Sequence, residues 1–248
     1  MVLVGGALHR DGPSGKLAAV ELTPTTAARQ VWRRLALLGI YAIAMGLLEA
    51  ICVIYLRRLL PVETNHPIPA LEHLRVEVIR EACTIVMLLA VAWLSGVNFR
   101  SRVACFFYAF GLWDILYYVG LRWLSGWPGG LLEWDCLFLI PKPWYGPVLA
   151  PVLISVYFAL ACWWLHACEV RGKPMRFSMV MVLSQLAAFV VWYWSFVKDA
   201  DHIGRHGYAA VTYSWALLAV GAVIGIAGLW LATRTPRPAP VMAPAVAD

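Results

Sequence analysis

The chain has 248 residues, of which 62% are hydrophobic and 14% are charged, and its formal net charge is +6. Soluble globular domains are about 45–50% apolar and about 25% charged, so this composition excludes that class and indicates a polytopic membrane protein. The 13 Trp residues agree, because indole rings favour the interface between lipid and water. The lipid bilayer is therefore an expected partner. No nucleic-acid partner is expected, since the basic residues follow from membrane topology.

Apolar segments long enough to cross a membrane recur along the chain. Crossing about 30 Å of hydrocarbon takes roughly 20 mostly apolar residues, and the segment must be helical because lipid offers free backbone groups no hydrogen-bond partner. The sequence predicts an all-α fold, a six-transmembrane-helix bundle within residues 31–234. Residues 1–30 are predicted to form a cytoplasmic tail and the Pro/Ala-rich residues 235–248 a disordered one. The six helices are expected near residues 35–56, 78–97, 103–121, 147–167, 177–197 and 209–232.

Lys and Arg residues are distributed unequally between the two sides of this topology. With the N-terminus placed inside, 12 of the 20 fall in inner segments and 8 in outer ones. The positive-inside rule, which counts Lys and Arg in short loops, therefore places both termini in the cytoplasm. In this topology the second helix begins at the outer face of the membrane.

The second helix carries charges where hydrocarbon should begin. Glu77, Arg80, Glu81 and Thr84 follow the spacing i, i+3, i+4, i+7, so they form one stripe along the helix. Because charge is costly against lipid, we expect this stripe to face the interior of the bundle. The stripe then either lines the outer mouth of a cavity or pairs with side chains on neighbouring helices.

Two other helices supply acidic residues at a similar depth. Glu49 lies about two turns before Arg57 near the end of the first helix, and Asp114 occupies the same position in the third. Tyr117 and Tyr118, at i+3 and i+4 from Asp114, are positioned so that one or both share its face, and Tyr117 is predicted to be a hydrogen-bond donor in the same site. Glu49, Glu81 and Asp114 are three carboxylates beside one Arg, so the sequence predicts a bound proton or cation. The alternative is an Arg80–carboxylate clamp that only fixes packing. Arg57 is expected to be an interfacial anchor.

The segment from 125 to 146 contains an apolar run that is too short to span, and its prolines prevent a long regular helix. Its Trp residues suit the interface. We expect an ordered lid on the outer face that brings Asp135 towards the cluster, and Pro147 is expected in the first turn of the fourth helix. The alternative is an amphipathic connector that lies along the membrane surface.

Histidines predicted to lie on the outer side suggest a metal-site hypothesis. In KDADHIGRHG, the HxxxH spacing of His202 and His206, with Asp199 nearby, would bring two imidazoles to one metal if the segment were helical. The alternative is a hydrated, titratable loop. The sequence carries no haem or iron–sulfur signature, because it lacks a second membrane His to pair with His166 and has no CxxC. The cofactor and any catalytic residue stay unidentified.

Three stretches carry a resemblance to known sequences: REACTIVMLLAVAWLSG, GLWDILYY and GWPGGLLEWDCLFLIPKPWYGPVLAPVL. Over roughly residues 45–155 the chain resembles a group of uncharacterised bacterial polytopic inner-membrane proteins. This resemblance implies a location in the bacterial inner membrane and implies no activity. Glu81, Asp114 and Asp135 fall within the resembling stretches.

Three functions are compatible with these patterns. The first is binding or movement of a small solute, ion or proton, or an accessory role in a membrane complex. The second is a membrane enzyme, with or without a metal ion, that acts on a lipid or quinone-like substrate at the outer leaflet. The third is a structural or assembly protein whose charges set helix packing. A homo-oligomer or a partner in a membrane complex fits each of them. The predicted binding residues are Glu49, Glu77, Arg80, Glu81, Asp114, Tyr117 and Asp135.

Overall fold

The computed structural model describes residues 24–59, 71–171 and 177–234. Over this part of the chain the protein is mostly helical, and a short 3-10 helix, Tyr208–Ala210, follows the sixth helix. The elements in chain order are α1 (Pro24–Leu59), α2 (Leu71–Ser95), α3 (Phe99–Ser125), β1 (Trp134–Phe138), β2 (Trp144–Pro147), α4 (Leu149–Val170), α5 (Met179–Val197), α6 (Ala200–His206) and α7 (Trp215–Arg234).

Several of these helices have the length and composition of membrane spans. Within the described residues, five apolar segments are long enough to cross a membrane: Ala28–Arg58, Arg75–Ser95, Phe99–Ser125, Leu149–Val170 and Met179–His206. The last α-helix contributes a shorter apolar stretch, Trp215–Leu231. The prediction of a mainly helical chain with several membrane-length helices is therefore confirmed, and the fold is compatible with a multi-pass membrane protein.

Helix boundaries differ from the sequence prediction in ways that hydropathy cannot detect. The first helix begins at Pro24, because the polar run after it contains no helix breaker, so part of the predicted tail 1–30 is helical. The expectation for Pro147 was wrong, since it ends β2 and α4 begins at Leu149. The last helix begins at Trp215 rather than near 209. The predicted tails over residues 1–23 and 235–248 lie outside the described residues.

The third helix is the centre of one half of the molecule. Its start is capped by Asn98, whose side chain accepts a hydrogen bond from the Ser101 amide, and it ends at Gly126 in a left-handed conformation (φ 78°). The first, second and fourth helices each pack against it. The core between α1, α2 and α3 includes Leu38, Leu88 and Trp113.

The fifth and seventh helices form a second packed unit that rests on α4. The amide of Gln185 donates to the Gly225 carbonyl at 2.8 Å, and the indole of Trp192 donates to the Leu218 carbonyl at 3.0 Å. Tyr157 of α4 joins this unit by donating to Gln185 Oε1 at 2.7 Å. Interhelical hydrogen bonds of this kind contribute to packing where lipid removes the hydrophobic driving force between helices.

The segment between α3 and α4 folds as a β-hairpin, which the all-α prediction did not include. Strands β1 and β2 pair antiparallel, with Asp135 opposite Gly146 and a bulge between Cys136 and Phe138. The Val148 amide donates to the Glu133 carbonyl at 2.9 Å and so closes the base of the hairpin. The hairpin lies where α1, α3 and α5 end and α2 and α4 begin, and we call this the hairpin end of the molecule.

Candidate functional site

The charged stripe of α2 faces the interior, as expected from its spacing. The side chains of Glu77 and Arg80 are 21% and 22% exposed. Deeper along the same face, Glu81 and Thr84 are buried, whereas Ile79 on the opposite face is exposed. Helical phase therefore separates polar from lipid-compatible residues, and the polar side chains have to find partners inside the protein.

Arg80 joins two carboxylates from two helices. Its guanidinium forms ion pairs with Glu49 of α1 and with Glu77 of its own helix, where Nε also donates to Glu77 Oε2 at 3.0 Å. The second oxygen of Glu49 accepts a hydrogen bond of 3.2 Å from the Thr84 hydroxyl. We call these four residues the Arg80 clamp. A planar guanidinium with five N–H donors is suited to bridging carboxylates in this way.

Glu81 is not part of the Arg80 clamp's hydrogen bonds but holds the hairpin. The backbone N–H of Leu139, just after β1, donates to both oxygens of the Glu81 carboxylate, at 2.9 and 3.2 Å. Both residues are buried. A charge-assisted hydrogen bond to a buried amide is among the stronger of its kind, so Glu81 fixes the end of β1 against α2.

Asp135 of β1 binds a second arginine. Its Oδ1 accepts from Arg57 Nη2 at 3.1 Å, and its Oδ2 accepts from the Tyr118 hydroxyl at 3.1 Å. The guanidinium carbon of Arg57 also lies 3.9 Å from the centre of the Trp127 ring. Burial raises the pKa of Asp135 above its ordinary value, and Arg57, Tyr118 and the Cys136 amide oppose that rise. The sequence suggested only an interfacial anchor for Arg57. In the structure its guanidinium also forms an ion pair with Asp135.

The phenol that donates to a carboxylate is that of Tyr118, whereas the sequence pointed to Tyr117. The Tyr117 ring instead stacks on Trp113 and meets the ring of Tyr118 edge-on, with centroids 6.2 and 5.0 Å apart. Its hydroxyl lies within electrostatic range of four charged groups: Glu77 and Arg80 on α2, Arg57 on α1 and Asp135 on β1. Tyr117 thus lies between the Arg80 clamp and Asp135.

Asp114 is buried and turned towards α4. Its Oδ2 accepts a hydrogen bond of 2.8 Å from the Ser155 hydroxyl. One turn earlier, a Cβ added to Gly111 would lie 2.5 Å from the Ser155 carbonyl oxygen, so glycine is what allows α4 this close to α3. Asp114 is within electrostatic range of Asp135. The predicted residues therefore form four adjoining groups at the hairpin end rather than one shared constellation: the Arg80 clamp and the separate contacts of Glu81, Asp135 and Asp114.

The two histidines of α6 are neighbours. His202 and His206 lie on α6, and their ring centroids are 4.7 Å apart. Asp199 pairs with Lys198. Within residues 24–59, 71–171 and 177–234, no group of three or more His, Cys, Asp or Glu side chains is arranged to hold a metal ion. The structure thus does not assemble Asp199, His202 and His206 into a three-ligand set, because Asp199 turns to the lysine.

Carboxylates outnumber cations in these four groups. The described residues that form them include five carboxylates, from Glu49, Glu77, Glu81, Asp114 and Asp135, and two guanidiniums, from Arg57 and Arg80. An excess of buried negative charge is costly, and it is relieved when carboxyls hold protons or share a bound cation. Protons, alkali ions and organic cations are therefore the species that this chemistry can accommodate.

The sequence did not assign to the site four of the groups that complete these contacts: Arg57, Tyr118, Ser155 and the Leu139 amide. Tyr118 at i+4 from Asp114 and Tyr117 at i+3 are equally close in helical phase, so spacing alone does not choose between them. Ser155 follows Pro151 by one turn, and a polar residue near the start of an apolar helix is a signal that the sequence offers.

Comparison with known proteins gives no family assignment, since no protein-family model, curated protein or solved structure matches the chain.

Proposed function

We propose that this chain is a six-span protein of a bacterial inner membrane, with both termini in the cytoplasm and the hairpin end facing outwards. In this proposal the carboxylate groups at the hairpin end bind or move a small cation or a proton, and the hairpin is the lid that covers them. The binding residues are the seven predicted from the sequence, completed by Arg57 and Tyr118.

One observation supports the proposal: within the described residues, the adjoining contact groups at the hairpin end bring together five carboxylates and two guanidiniums in an apolar helical protein. A packing device needs equal numbers of opposite charges, since each unpaired buried charge weakens the fold. The excess is understandable where a mobile cation or proton completes the charge balance. Residues of this kind within membrane spans commonly mark ion or proton pathways.

The test is a flux measurement in proteoliposomes. Purified protein is reconstituted into vesicles, and an inward gradient of protons, Na⁺ or K⁺ is imposed. An entrapped dye reports the internal concentration of that cation. Each measurement is made with and without a potassium ionophore, which sets the membrane potential. We expect one of these gradients to dissipate faster than in protein-free vesicles. Glu81→Gln should return the rate to that of empty vesicles, because it removes an ionisable group that links α2 to the hairpin.

The matched control is Glu133→Gln, which removes a carboxylate that is exposed at the same end of the molecule. This variant should keep the rate of the unmodified protein. If the unmodified protein moves none of the three cations faster than empty vesicles, or if Glu133→Gln slows flux as much as Glu81→Gln, the proposal fails.

A structural role is the second candidate, and the Arg80 clamp favours it. Arg80 is shared by Glu49 and Glu77, so this part of the cluster is a cross-link between α1 and α2. If packing is its whole purpose, replacing Arg80 with Met together with Glu49→Gln and Glu77→Gln changes stability alone. If the cluster serves cation movement, the same triple variant also changes the flux.

A further inference from the structure

The guanidinium of Arg57 occupies a site built by other parts of the chain. Asp135 provides a carboxylate from β1, Tyr118 provides a phenol from α3, and Trp127 provides an indole face from the segment that follows α3. We call these three residues the cation site. A negative oxygen beside an aromatic face is the combination by which proteins recognise organic cations.

The cation site is held in shape without Arg57. Tyr118 donates directly to Asp135 Oδ2, and the rings of Tyr118 and Trp127 are 6.4 Å apart. Asp135 is fixed further by its place in the hairpin, opposite Gly146. Both Asp135 and Tyr118 are more than nine-tenths buried. Such a preorganised arrangement binds a ligand with little additional ordering cost.

Arg57 is an occupant that can leave. Its side chain is 38% exposed, and it belongs to the last turn of α1. Arg57 donates from one nitrogen to Asp135, and its guanidinium carbon lies over the Trp127 ring. The side chain thus holds a guanidinium group in the site by a flexible link to α1. When the tether swings out, the carboxylate, phenol and indole face stay behind for another cation.

We propose that Asp135, Tyr118 and Trp127 form a binding site for a small organic cation with a guanidinium head, and that Arg57 is its built-in competitor. This inference rests on the proposed function, because it names the class of solute and relies on the hairpin end facing water. A guanidinium is preferred over a primary ammonium, since a planar, weakly hydrated cation stacks on an indole and donates in a fixed fork.

The test uses ethylguanidinium chloride as the probe, with sodium chloride added to keep ionic strength constant. Binding to detergent-solubilised protein is followed by saturation-transfer NMR on the ethyl protons and by the thermal unfolding midpoint. In Arg57→Ala we expect a saturable NMR signal and a midpoint that rises by about 2–4 °C at saturation. The unmodified protein should need higher probe concentrations, because the tethered guanidinium competes at an effective concentration of about millimolar.

Two controls isolate the site. Arg58→Ala removes the neighbouring, exposed arginine and should respond like the unmodified protein. Asp135→Asn combined with Arg57→Ala removes the carboxylate and should abolish the response. Ethylammonium chloride should bind Arg57→Ala more weakly than ethylguanidinium. If Arg57→Ala unfolds during purification, Arg57→Gln retains part of the apolar stem over Trp127 and takes its place.

A folded Arg57 variant that gives no saturable signal overturns the inference, and so does a signal that persists in the Asp135→Asn background. This failure is distinct from failure of the proposed function. The flux experiment depends on Glu81 and inorganic cations, whereas the probe experiment measures binding at Asp135 in solution.

Discussion

Arg80 determines how the first two helices meet. Its guanidinium is the counter-ion of Glu49 and of Glu77, and Thr84 supports Glu49 from the next turn of α2. Loss of one partner from a buried ion pair costs more than loss of the whole pair, because an uncompensated charge stays behind. The Arg80 clamp is therefore a set of mutually dependent residues.

The replacement Arg80→Met should lower the free energy of unfolding by about 3 kcal/mol, because it leaves two carboxylates inside the protein without a counter-ion. For a chain of this size that corresponds to a fall in the thermal midpoint of roughly 6–12 °C. The measurement is thermal unfolding in detergent. Arg75→Met, which removes an exposed arginine from the same helix, is the control and should change the midpoint little.

Adding Glu49→Gln and Glu77→Gln to Arg80→Met should restore part of the lost stability, because the orphaned charges are then gone. A triple variant that is less stable than Arg80→Met alone would contradict the role given to Arg80.

Asp135 gives the fold a pH dependence of known sign. Burial raises the pKa of Asp135 from its ordinary value of 3.8, so the folded protein holds this proton at pH values where the unfolded chain has released it. Folding is then coupled to proton binding, and the contribution of Asp135 to stability falls as pH rises above about 4. Asp135→Asn carries no charge at any pH.

The difference in thermal midpoint between the unmodified protein and Asp135→Asn should therefore shift in favour of the variant as pH increases from 4 to 7. Both proteins are measured in the same detergent and buffer series. A difference that shifts in favour of the unmodified protein over this range would contradict the raised pKa.

Depth and helical phase were enough to predict that Arg80 and Glu49 face the interior, since both quantities can be counted along a sequence. They do not give the rotation of one helix about its neighbour. That rotation turns Asp114 towards Ser155 on α4, and it brings Tyr118, not Tyr117, to Asp135. Pairing across helices thus depends on packing that a single sequence does not encode locally.

Among the elements, the hairpin was the least predictable from sequence. Its strands have five and four residues, and two prolines lie in the loop between them. Proline correctly excluded a long helix, but the short strands carry no strong alternation of polar and apolar residues. Their pairing is supported from outside by Glu81 and Arg57, which bind the hairpin from two different helices.

The close approach of α3 and α4 depends on Gly111. A methyl group there would lie 2.5 Å from the Ser155 carbonyl oxygen and 3.2 Å from the Ala159 amide nitrogen, and both are backbone atoms that cannot rotate away. We expect Gly111→Ala to separate the helices and to destabilise the protein by about 1–3 kcal/mol. Thermal unfolding measures the loss.

Gly130→Ala is the matched control for Gly111→Ala, because an added Cβ there meets no atom within 4 Å. It should change stability by less than about 0.5 kcal/mol. If the two variants lose equal stability, the loss at Gly111 has a cause other than the contact between α3 and α4.

At the scale of the whole molecule, the chain divides into α1, α2 and α3 on one side and α5 with α7 on the other, and α4 lies between them. The apolar segments were predictable because hydropathy and length are properties of the sequence itself. Which helices touch was not, since every lipid-compatible face looks alike in a hydropathy profile.

The proposed topology predicts different accessibility at the two ends. In a background without native cysteines, Lys142→Cys in the hairpin loop should react with a membrane-impermeant maleimide in intact, right-side-out membranes. Arg171→Cys at the end of α4 should react only after the membrane is permeabilised. Both positions are exposed in the structure, so burial does not explain a difference. The reverse pattern would invert the topology.

The Arg80 clamp also bears on how the chain enters the membrane. Charge is costly in a membrane-spanning helix, and α2 carries three charges, from Glu77, Arg80 and Glu81, in the turns near the hairpin end. Glu49 lies in the part of α1 nearest the hairpin end of the molecule and is the partner of Arg80. In the proposed topology, we therefore expect α2 to enter lipid less readily alone than together with α1. We expect the two helices to partition into lipid as a pair, joined by the ion pair of Arg80 with Glu49.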